Sequence, residues 1–310
     1  MTVQKHVVSG VLLIDKPQGM TSQQVVSKVK YLLKSDSHDS KKAGHTGTLD
    51  PMATGLLPIC LGEATKFSHY QLEAVKSYQA ILKLGEQTDT GDAEGKVIAI
   101  QAIPDLSDEK LSAVTQTFLG GICQIPPMYS ALKKDGKKLY ELAREGIEIE
   151  REARPITIFD LAVVPILPDQ LQLDVTCSKG TYIRVLGEDI AKALGTFGHL
   201  TSLRRTKTGD FNLQNSITLA DFETLSFDQR FDKLLPIDEC VKFLSKLQLD
   251  EAQTSRIRNG QRLNVKFEAT EQDILSDKQQ EIRLFHLDKF LGVANLEPNG
   301  RLQPLKLVNN

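Results

Sequence analysis

The segment GHTGTLDPMATGLLP, residues 44–58, constrains the fold more than any other part of the chain. Three glycines fall within twelve residues, which implies that backbone segments approach one another closely here. Pro51 biases the residue before it, Asp50, towards an extended conformation, so that the carboxylate would lie at the rim of a cleft. An aspartate before a proline also commonly begins a turn, so the local pattern by itself favours a structural role for Asp50.

The N-terminal part of the chain predicts a strand, a turn and a helix in that order. An apolar run at residues 10–14 precedes KPQGMTS, residues 16–22, which combines turn residues with hydroxyls that can cap a helix. Apolar residues then recur at helical spacing, which predicts a helix over residues 22–34.

Further along, alternating apolar residues predict half-buried strands at residues 80–84 and 171–177. Helical spacing from residue 185 predicts a helix that ends at Gly195. Strands and helices are mixed without the regular alternation of a parallel barrel, so the predicted fold class is α+β.

The domain organisation is predicted from a change near residue 247. A chain of 310 residues is long enough for two unequal domains. Beyond residue 247, short apolar runs are broken by Asn259-Gly260 and by residues 298–300, as in a small all-β domain. We therefore predict domains at residues 1–246 and 247–310.

The charge distribution allows an RNA partner only through local surfaces. The net charge of −2 gives the whole protein no general attraction for a polyanion. Two basic clusters stand out, Lys133–Arg144 and Arg204–Lys207, and Tyr129 and Tyr140 lie in or next to the first. Such clusters are usually solvated surface, but with tyrosines they also suit phosphate binding and base stacking.

Several classes of protein are disfavoured by the sequence. The four cysteines are about sixty residues apart, and no histidine pair has metal-ligand spacing, so we expect no metal. No phosphate-binding or dinucleotide motif is present, so we expect no cofactor. No apolar run approaches the roughly 18 residues that span a bilayer, and no signal peptide is evident, so we expect a cytoplasmic protein without a membrane partner. The acidic loop at residues 89–95 lacks the ligand series of an EF-hand and is interpreted as a hairpin connection.

Five segments together resemble the bacterial tRNA pseudouridine synthase B family. They are KPQGMTS, GHTGTLDPMATGLLP, KSYQA at residues 76–80, CSKGTYIRVL at residues 177–186, and Leu203-Arg204-Arg205. The resemblance spans residues 9 to about 245. It implies a mixed, largely antiparallel sheet flanked by helices, followed by a small β-rich domain similar to the PUA domain. It also implies a mobile RNA-contacting insertion at residues 124–154.

The activity implied by this resemblance is isomerisation of uridine 55 in the T-loop of tRNA to pseudouridine. The tRNA T-arm would be the partner, with no obligate protein partner evident. Asp50 would be the catalytic residue, either as a nucleophile at C1′ or as a base at C2′ of the ribose. The residues implied to bind the uridine are His45, Tyr78, Tyr182, Arg184 and Leu203. An ion pair with Arg184 would keep Asp50 ionised and oriented.

Two other functions compete with this interpretation. A non-catalytic RNA-binding or tRNA-folding module would explain the basic clusters but not Asp50. A glycoside hydrolase could use Asp50 as its nucleophile, but that chemistry normally needs a second carboxylate, and the sequence shows no paired acid near Asp50.

Overall fold

The computed structural model describes residues 5–265 and 277–309. Residues 1–4, 266–276 and 310, which fall within the two predicted domains, lie outside that description. The strands are β1 (His6–Val7), β2 (Gly10–Lys16), β3 (His38–Asp39), β4 (Ala43–His45), β5 (Thr54–Leu61), β6 (Lys76–Leu84), β7 (Glu86–Thr88), β8 (Val97–Ile100), β9 (Gly120–Gln124), β10 (Lys133–Lys134), β11 (Lys137–Lys138), β12 (Arg154–Leu167), β13 (Gln170–Cys177), β14 (Gly198–Thr208), β15 (Phe211–Asn212), β16 (Ile217–Thr218), β17 (Lys246–Gln248), β18 (Leu263–Asn264), β19 (Gln280–His286), β20 (Lys289–Leu296) and β21 (Arg301–Leu307).

The α-helices are α1 (Ser22–Leu32), α2 (Ser68–Glu73), α3 (Asp108–Phe118), α4 (Leu139–Arg144), α5 (Ile183–Ala193), α6 (Leu219–Thr224), α7 (Phe227–Phe231) and α8 (Glu251–Arg258). Short 3-10 helices cover Gly62–Lys66, Leu213–Asn215 and Ile237–Val241. In the described ranges, no helix has both the length and the apolar character needed to cross a membrane.

A ten-stranded sheet forms the main body and confirms the predicted fold class. Its strand order is β16-β2-β5-β14-β6-β13-β12-β9, with β15 beside β14 and β4 beside β5. Only the β5–β14 and β2–β16 pairs are parallel, so the sheet is mixed and largely antiparallel. Helices α1, α3 and α5 contribute buried residues to the larger core cluster together with this sheet.

The predicted α1 helix is confirmed, although it ends two residues earlier than expected. Thr21 is its N-cap: the Thr21 hydroxyl accepts the Gln24 N–H, and the Gln24 side chain accepts the Thr21 N–H. This reciprocal capping box satisfies two N–H groups that a helix start otherwise leaves unpaired. The helix start is thereby fixed directly beside the KPQGMTS turn.

Strand β2 explains why residues 10–14 are apolar without alternation. Leu12 and Ile14 belong to the larger core cluster, whereas Val11 and Leu13 belong to a second cluster that also contains Val293 of β20. Both faces of the strand are therefore covered, and a strand buried on both faces has an apolar residue at nearly every position.

The C-terminal residues form a separate five-stranded sheet, in agreement with the expected β-rich C-terminal domain. Its order is β17-β19-β20-β21-β18, with only the β17–β19 pair parallel. A third core cluster lies within this sheet and helix α8. The sheet begins at Lys246, next to the predicted boundary, and the division at residue 247 itself stays a prediction.

Candidate active site

Asp50 lies in the loop between β4 and β5, and its side chain is 39% exposed. Helix α1 fixes the residue before it: the Ser22 hydroxyl donates to the Leu49 carbonyl at 3.0 Å and accepts the Leu49 N–H at 2.8 Å. The residue after it, Pro51, accepts the Gly19 N–H at 2.8 Å. The KPQGMTS segment therefore holds the backbone on both sides of Asp50.

Lys16 gives a further anchor that the sequence analysis missed. Its side chain is fully buried, and Nζ donates to the Pro17 carbonyl at 2.9 Å and the Pro51 carbonyl at 3.3 Å. Burial lowers the pKa of Lys16 to about 8, while the negative charges of Asp50 and Glu94 act in the opposite direction. The available signal was a lysine at the end of an apolar strand, directly before a proline.

Arg184 contacts Asp50 directly, as the ion-pair hypothesis requires. Its Nη2 lies 3.0 Å from Asp50 Oδ2, and the arginine side chain is only 5% exposed. Nη1 donates to the Thr90 carbonyl at 2.7 Å, and Nη2 donates to the Tyr129 carbonyl at 2.8 Å. One buried guanidinium is thereby fixed by three separate segments of the chain, and the carboxylate that it contacts is partly exposed.

Asp92 is a second carboxylate on the same guanidinium, 3.6 Å from Arg184 Nε. It lies in the acidic loop, which joins β7 to β8 as the hairpin interpretation predicted. Its Oδ1 accepts the Thr90 hydroxyl at 2.6 Å and the Glu94 N–H at 3.1 Å. The sequence did not reveal this carboxylate beside Arg184, because the contact joins residues far apart in the chain. Asp92 is buried and tied to these partners, so it is not an open acid across a cleft.

Arg205 is the largest fully buried side chain among the described residues. Its Nε donates to the Leu56 carbonyl at 2.8 Å, and its Nη2 donates to the Gly47 carbonyl at 3.1 Å. Arg204 forms two hydrogen bonds with Asp15, at 3.2 and 2.6 Å. The prediction of a second basic surface at Arg204–Lys207 was wrong for Arg205, and the Arg204 guanidinium is engaged within the protein.

The close backbone approaches expected from the glycines are confirmed at Gly55. Its φ of +100° suits glycine, and a Cβ there would lie 2.3 Å from the Arg205 carbonyl oxygen. The parallel pairing of β5 with β14 at Arg205 and Gly55 brings the two backbones together. Only a residue without a side chain allows strand β14 to carry Arg205 beneath the Asp50 loop.

Tyr78 and Leu203 lie on one face of the main sheet. In the β6–β14 register, Tyr78 is opposite Arg205 and Ala80 is opposite Leu203, so all four side chains share a face. Leu203 is buried in the larger core cluster, and Tyr78 packs against that cluster while half-buried. Burial raises the pKa of the Tyr78 hydroxyl, and the positive charge of Arg205 acts in the opposite direction.

Tyr182 directly precedes α5, two residues before Arg184, and is half-buried. Burial raises the pKa of its hydroxyl, and the negative charge of Asp50 contributes in the same direction, whereas the charge of Arg184 opposes it. The charge of Asp50 also contributes to the raised pKa of Tyr78. The two tyrosines therefore lie within electrostatic reach of the same carboxylate.

His45 ends strand β4, and its Nδ1 is 3.4 Å from the Gly47 N–H. Burial lowers the pKa of His45, and the nearby positive charge of Arg205 lowers it further. The imidazole is consequently neutral at pH 7, and a neutral flat ring suits stacking better than phosphate binding.

The residues between β9 and β12 leave the main sheet. Gln124 and Arg154 are paired at the ends of these two strands, and the chain between them carries the β10–β11 hairpin and helix α4. Lys133, Lys134 and Lys137 are exposed on the hairpin. Lys138 Nζ lies 5.3 Å from the centroid of the Tyr140 ring. This segment thus combines exposed positive charge with an aromatic ring.

Within the described residues, no cluster of three or more histidine, cysteine or acidic side chains could hold a metal ion.

Family models match residues 35–242 and 245–308. TruB family pseudouridylate synthase (N terminal domain) matches residues 35–183, and tRNA pseudouridylate synthase B C-terminal domain matches residues 184–242. Pseudouridine synthase II TruB, C-terminal, matches residues 245–308.

Curated relatives and solved structures agree with these matches. The chain is 55% identical to the tRNA pseudouridine synthase B of Psychrobacter cryohalolentis, over 97% of this chain and 94% of the relative. It is 45% identical to that of Aromatoleum aromaticum, over 99% and 94%. A chain in the crystal structure of a Cbf5-Nop10-Gar1 complex is 25% identical with a TM-score of 0.71, over 97% of this chain and 84% of the other.

Proposed function

From the premise that the chain belongs to the TruB family of tRNA pseudouridine synthases, we propose that it isomerises uridine 55 of the tRNA T-loop, with Asp50 as its catalytic residue. The observation that carries the assignment of Asp50 is its ion pair with Arg184. A 39% exposed carboxylate is held at 3.0 Å by a 5% exposed guanidinium. The carboxylate can thus reach a substrate while its orientation is set from inside the protein.

The reaction needs an acid–base or nucleophilic group and no change of oxidation state. The bond between N1 and C1′ breaks, the uracil rotates, and C5 bonds to C1′; C5 loses a proton and N1 gains one. Asp50 acts on the ribose either as a nucleophile at C1′ or as a base that removes the C2′ proton. Both routes need a carboxylate held in one orientation, which the 3.0 Å contact with Arg184 provides.

The target uridine must leave its stack to reach Asp50, which costs a few kcal/mol of stacking. In our proposal Tyr78, Tyr182 and Leu203 replace those contacts for the extracted base. The shared sheet face of Tyr78 and Leu203, and the position of Tyr182 beside the Asp50–Arg184 pair, support these roles. The neutral ring of His45 would fill the stack that the uridine leaves.

The basic segment between β9 and β12 supports binding of the tRNA T-arm. The protein has a net charge of −2, so attraction for tRNA must come from local surfaces such as this one. Exposed Lys133, Lys134 and Lys137 would contact phosphates, and Tyr140 offers a ring for stacking.

The experiment that tests this proposal measures tritium release from a tRNA transcript labelled at uracil C5. Formation of the new carbon–carbon bond expels that hydrogen, so we expect release by the wild type and none above background by Asp50→Asn. Sequencing the product for pseudouridine should locate the change at position 55. Release by both proteins would overturn the assignment of Asp50, and pseudouridine at another position would overturn the assignment of uridine 55 as the target.

A binding assay on the same two proteins separates catalysis from RNA binding. A filter-binding assay with Asp50→Asn should show wild-type affinity for tRNA, because that substitution keeps the shape of the side chain. If neither protein released tritium while both bound tRNA, the chain would be a tRNA-binding or tRNA-folding module.

A further inference from the structure

Gln124 holds the backbone of Tyr182 on both sides. The Tyr182 N–H donates to Gln124 Oε1 at 2.8 Å, and Gln124 Nε2 donates to the Tyr182 carbonyl at 3.0 Å. Gln124 is only 3% exposed, so water does not compete for these two bonds. A buried amide that pairs in both directions fixes the peptide groups of its partner in one orientation.

Tyr182 depends on this support because of its place in the chain. It is the residue before α5, with φ −96° and ψ 107°, and no side chain caps the helix at this position. The Tyr182 carbonyl accepts the Leu186 N–H at 3.1 Å, the first bond of the helix, and Gln124 contacts both this carbonyl and the Tyr182 N–H. Arg184 follows two residues later. Any shift of the Tyr182 backbone would move both the pocket ring and the guanidinium that contacts Asp50.

Gln124 also stands where the basic segment leaves the sheet. It is the last residue of β9 and is paired with Arg154, the first residue of β12. Five residues further on, the Tyr129 carbonyl accepts Arg184 Nη2 at 2.8 Å. The first residues of the basic segment therefore contact the start of α5 twice, once at Tyr182 and once at Arg184.

We propose that Gln124 is a positioning residue for the isomerisation step. It acts through Tyr182 and connects the start of the basic segment to the Asp50–Arg184 ion pair. This inference rests on the proposed function of the Asp50 site. It implies that the basic segment affects the rate of the chemical step as well as the affinity for tRNA.

The test compares Gln124→Met with a matched control, Gln101→Met. Gln101 Nε2 donates to the Gly195 carbonyl, at 3.1 Å, just beyond the opposite end of α5. Single-turnover tritium release is measured at saturating tRNA, with the dissociation constant and the thermal midpoint measured on the same preparations. We expect Gln124→Met to slow release at least about 10-fold, since a misplacement of about 1 Å can cost roughly 100-fold, with tRNA affinity nearly unchanged. Gln101→Met should release tritium at the wild-type rate.

A double-mutant cycle separates positioning from a general contribution to folding. In a Tyr182→Ala background, Gln124→Met should slow release by a smaller factor than in the wild type, because the ring is already absent while the backbone of residue 182 still sets the position of Arg184. If Gln124→Met slowed release equally in both backgrounds, or kept the wild-type rate while folded, the inference would be wrong. A wild type that releases no tritium would instead remove the proposed function, so the two failures are distinguishable.

Gln124→Glu keeps the proposal testable if Gln124→Met does not fold. An ionised glutamate accepts the Tyr182 N–H but cannot donate to the Tyr182 carbonyl, whereas a protonated glutamate can do both. The rate of Gln124→Glu relative to wild type should therefore rise as the pH falls. A constant ratio across the pH range would contradict the proposal.

Discussion

At the scale of single residues, the site is built from buried cations whose partners are mainly backbone carbonyls. Arg184, Arg205 and Lys16 are all buried, and each donates to two carbonyl oxygens. Among the described residues, Arg184 also pairs with both Asp50 and Asp92. These contacts fix the cations, so the orientation of Asp50 does not depend on a mobile surface side chain.

Replacing Arg184 should remove activity far more than it removes tRNA affinity. We expect Arg184→Met to reduce turnover at saturating tRNA by roughly 100-fold or more, because a preorganised charge at the reacting group is lost. The variant should also lose a few kcal/mol of stability, since Asp92 would remain buried without its ion pair. Turnover and urea denaturation measure the two effects.

Arg204→Met, which breaks the ion pair with Asp15, is the control. Normal turnover by folded Arg184→Met would contradict a catalytic role for the ion pair.

The buried lysine should make stability rise with pH in the alkaline range. The pKa of Lys16 is about 8 in the folded protein, whereas an ordinary lysine, as in the unfolded chain, has a pKa of 10.5. Between these two pH values the unfolded chain therefore binds more protons than the folded protein. Stability is therefore lowest below pH 8 and rises towards pH 10.5, by up to roughly 3 kcal/mol for this group. The pKa of Lys76 is lowered to about 8 as well, so it adds in the same direction.

Urea denaturation at pH 8 and pH 10 measures this rise. Lys16→Met should show a smaller rise than the wild type, whereas replacement of exposed Lys289 by methionine should leave it unchanged. An equal rise in Lys16→Met and the wild type would show that Lys16 is not the source.

At the scale of elements, one helix start and one loop work as a unit. Helix α1 begins at Ser22, whose hydroxyl makes two hydrogen bonds with Leu49. Because the helix is packed into the core through Val25, Val26 and Val29, this hydroxyl is a fixed point. The packing of α1 thus sets the position of the Asp50 loop.

Ser22→Ala should therefore reduce both stability and turnover. The N–H and carbonyl of Leu49 would be left buried without these partners, which costs about 1–3 kcal/mol. Ser68→Ala is a suitable control, since the Ser68 hydroxyl bonds the Thr65 carbonyl at the start of α2, on another element. Thermal unfolding and tritium release should show a loss of stability in both variants and a loss of turnover in Ser22→Ala alone. A wild-type rate in Ser22→Ala would mean that the loop keeps its position without α1.

At the scale of the whole molecule, the C-terminal sheet covers one face of β2 and β5. The Phe67 and Phe290 ring centroids are 5.4 Å apart, and Val293 is fully buried in the same cluster. Lys66 Nζ donates to the Leu307 carbonyl at 2.8 Å, and the Asn309 N–H donates to Glu63 at 2.7 Å. Apolar packing, together with polar contacts from the last strand and the residues after it, thus joins the two parts.

Phe290→Ala should loosen this junction. Removal of a half-buried aromatic ring costs about 1–3 kcal/mol, somewhat less than for a fully buried one. We expect limited proteolysis to cleave faster near residues 242–246, between the two sheets. Phe159→Ala removes a 54% exposed ring from the main sheet and should not change the cleavage rate. Equal rates for Phe290→Ala and the wild type would show that the ring does not hold the sheets together.

The sequence by itself determined the local helices and strands, and its resemblance to a family supplied the residues proposed for the site. Helical spacing predicted α1 and α5, alternation predicted β13, and the glycines around Asp50 predicted a close backbone approach, found at Gly55. These features depend on neighbours in the chain, which is why they can be recognised without a structure. The assignment of Asp50, His45, Tyr78, Tyr182, Arg184 and Leu203 to one uridine site came from the family resemblance and stays a prediction.

Only the tertiary structure decided which charged residues are buried and what they contact. Arg205 belonged to an apparent basic surface and Asp92 to an ordinary hairpin loop, yet one supports the Asp50 loop and the other shares Arg184. Gln124 and Tyr182 are 58 residues apart. Burial and pairing of such residues depend on which strands and loops the fold brings together, and periodicity along the chain carries no information about that.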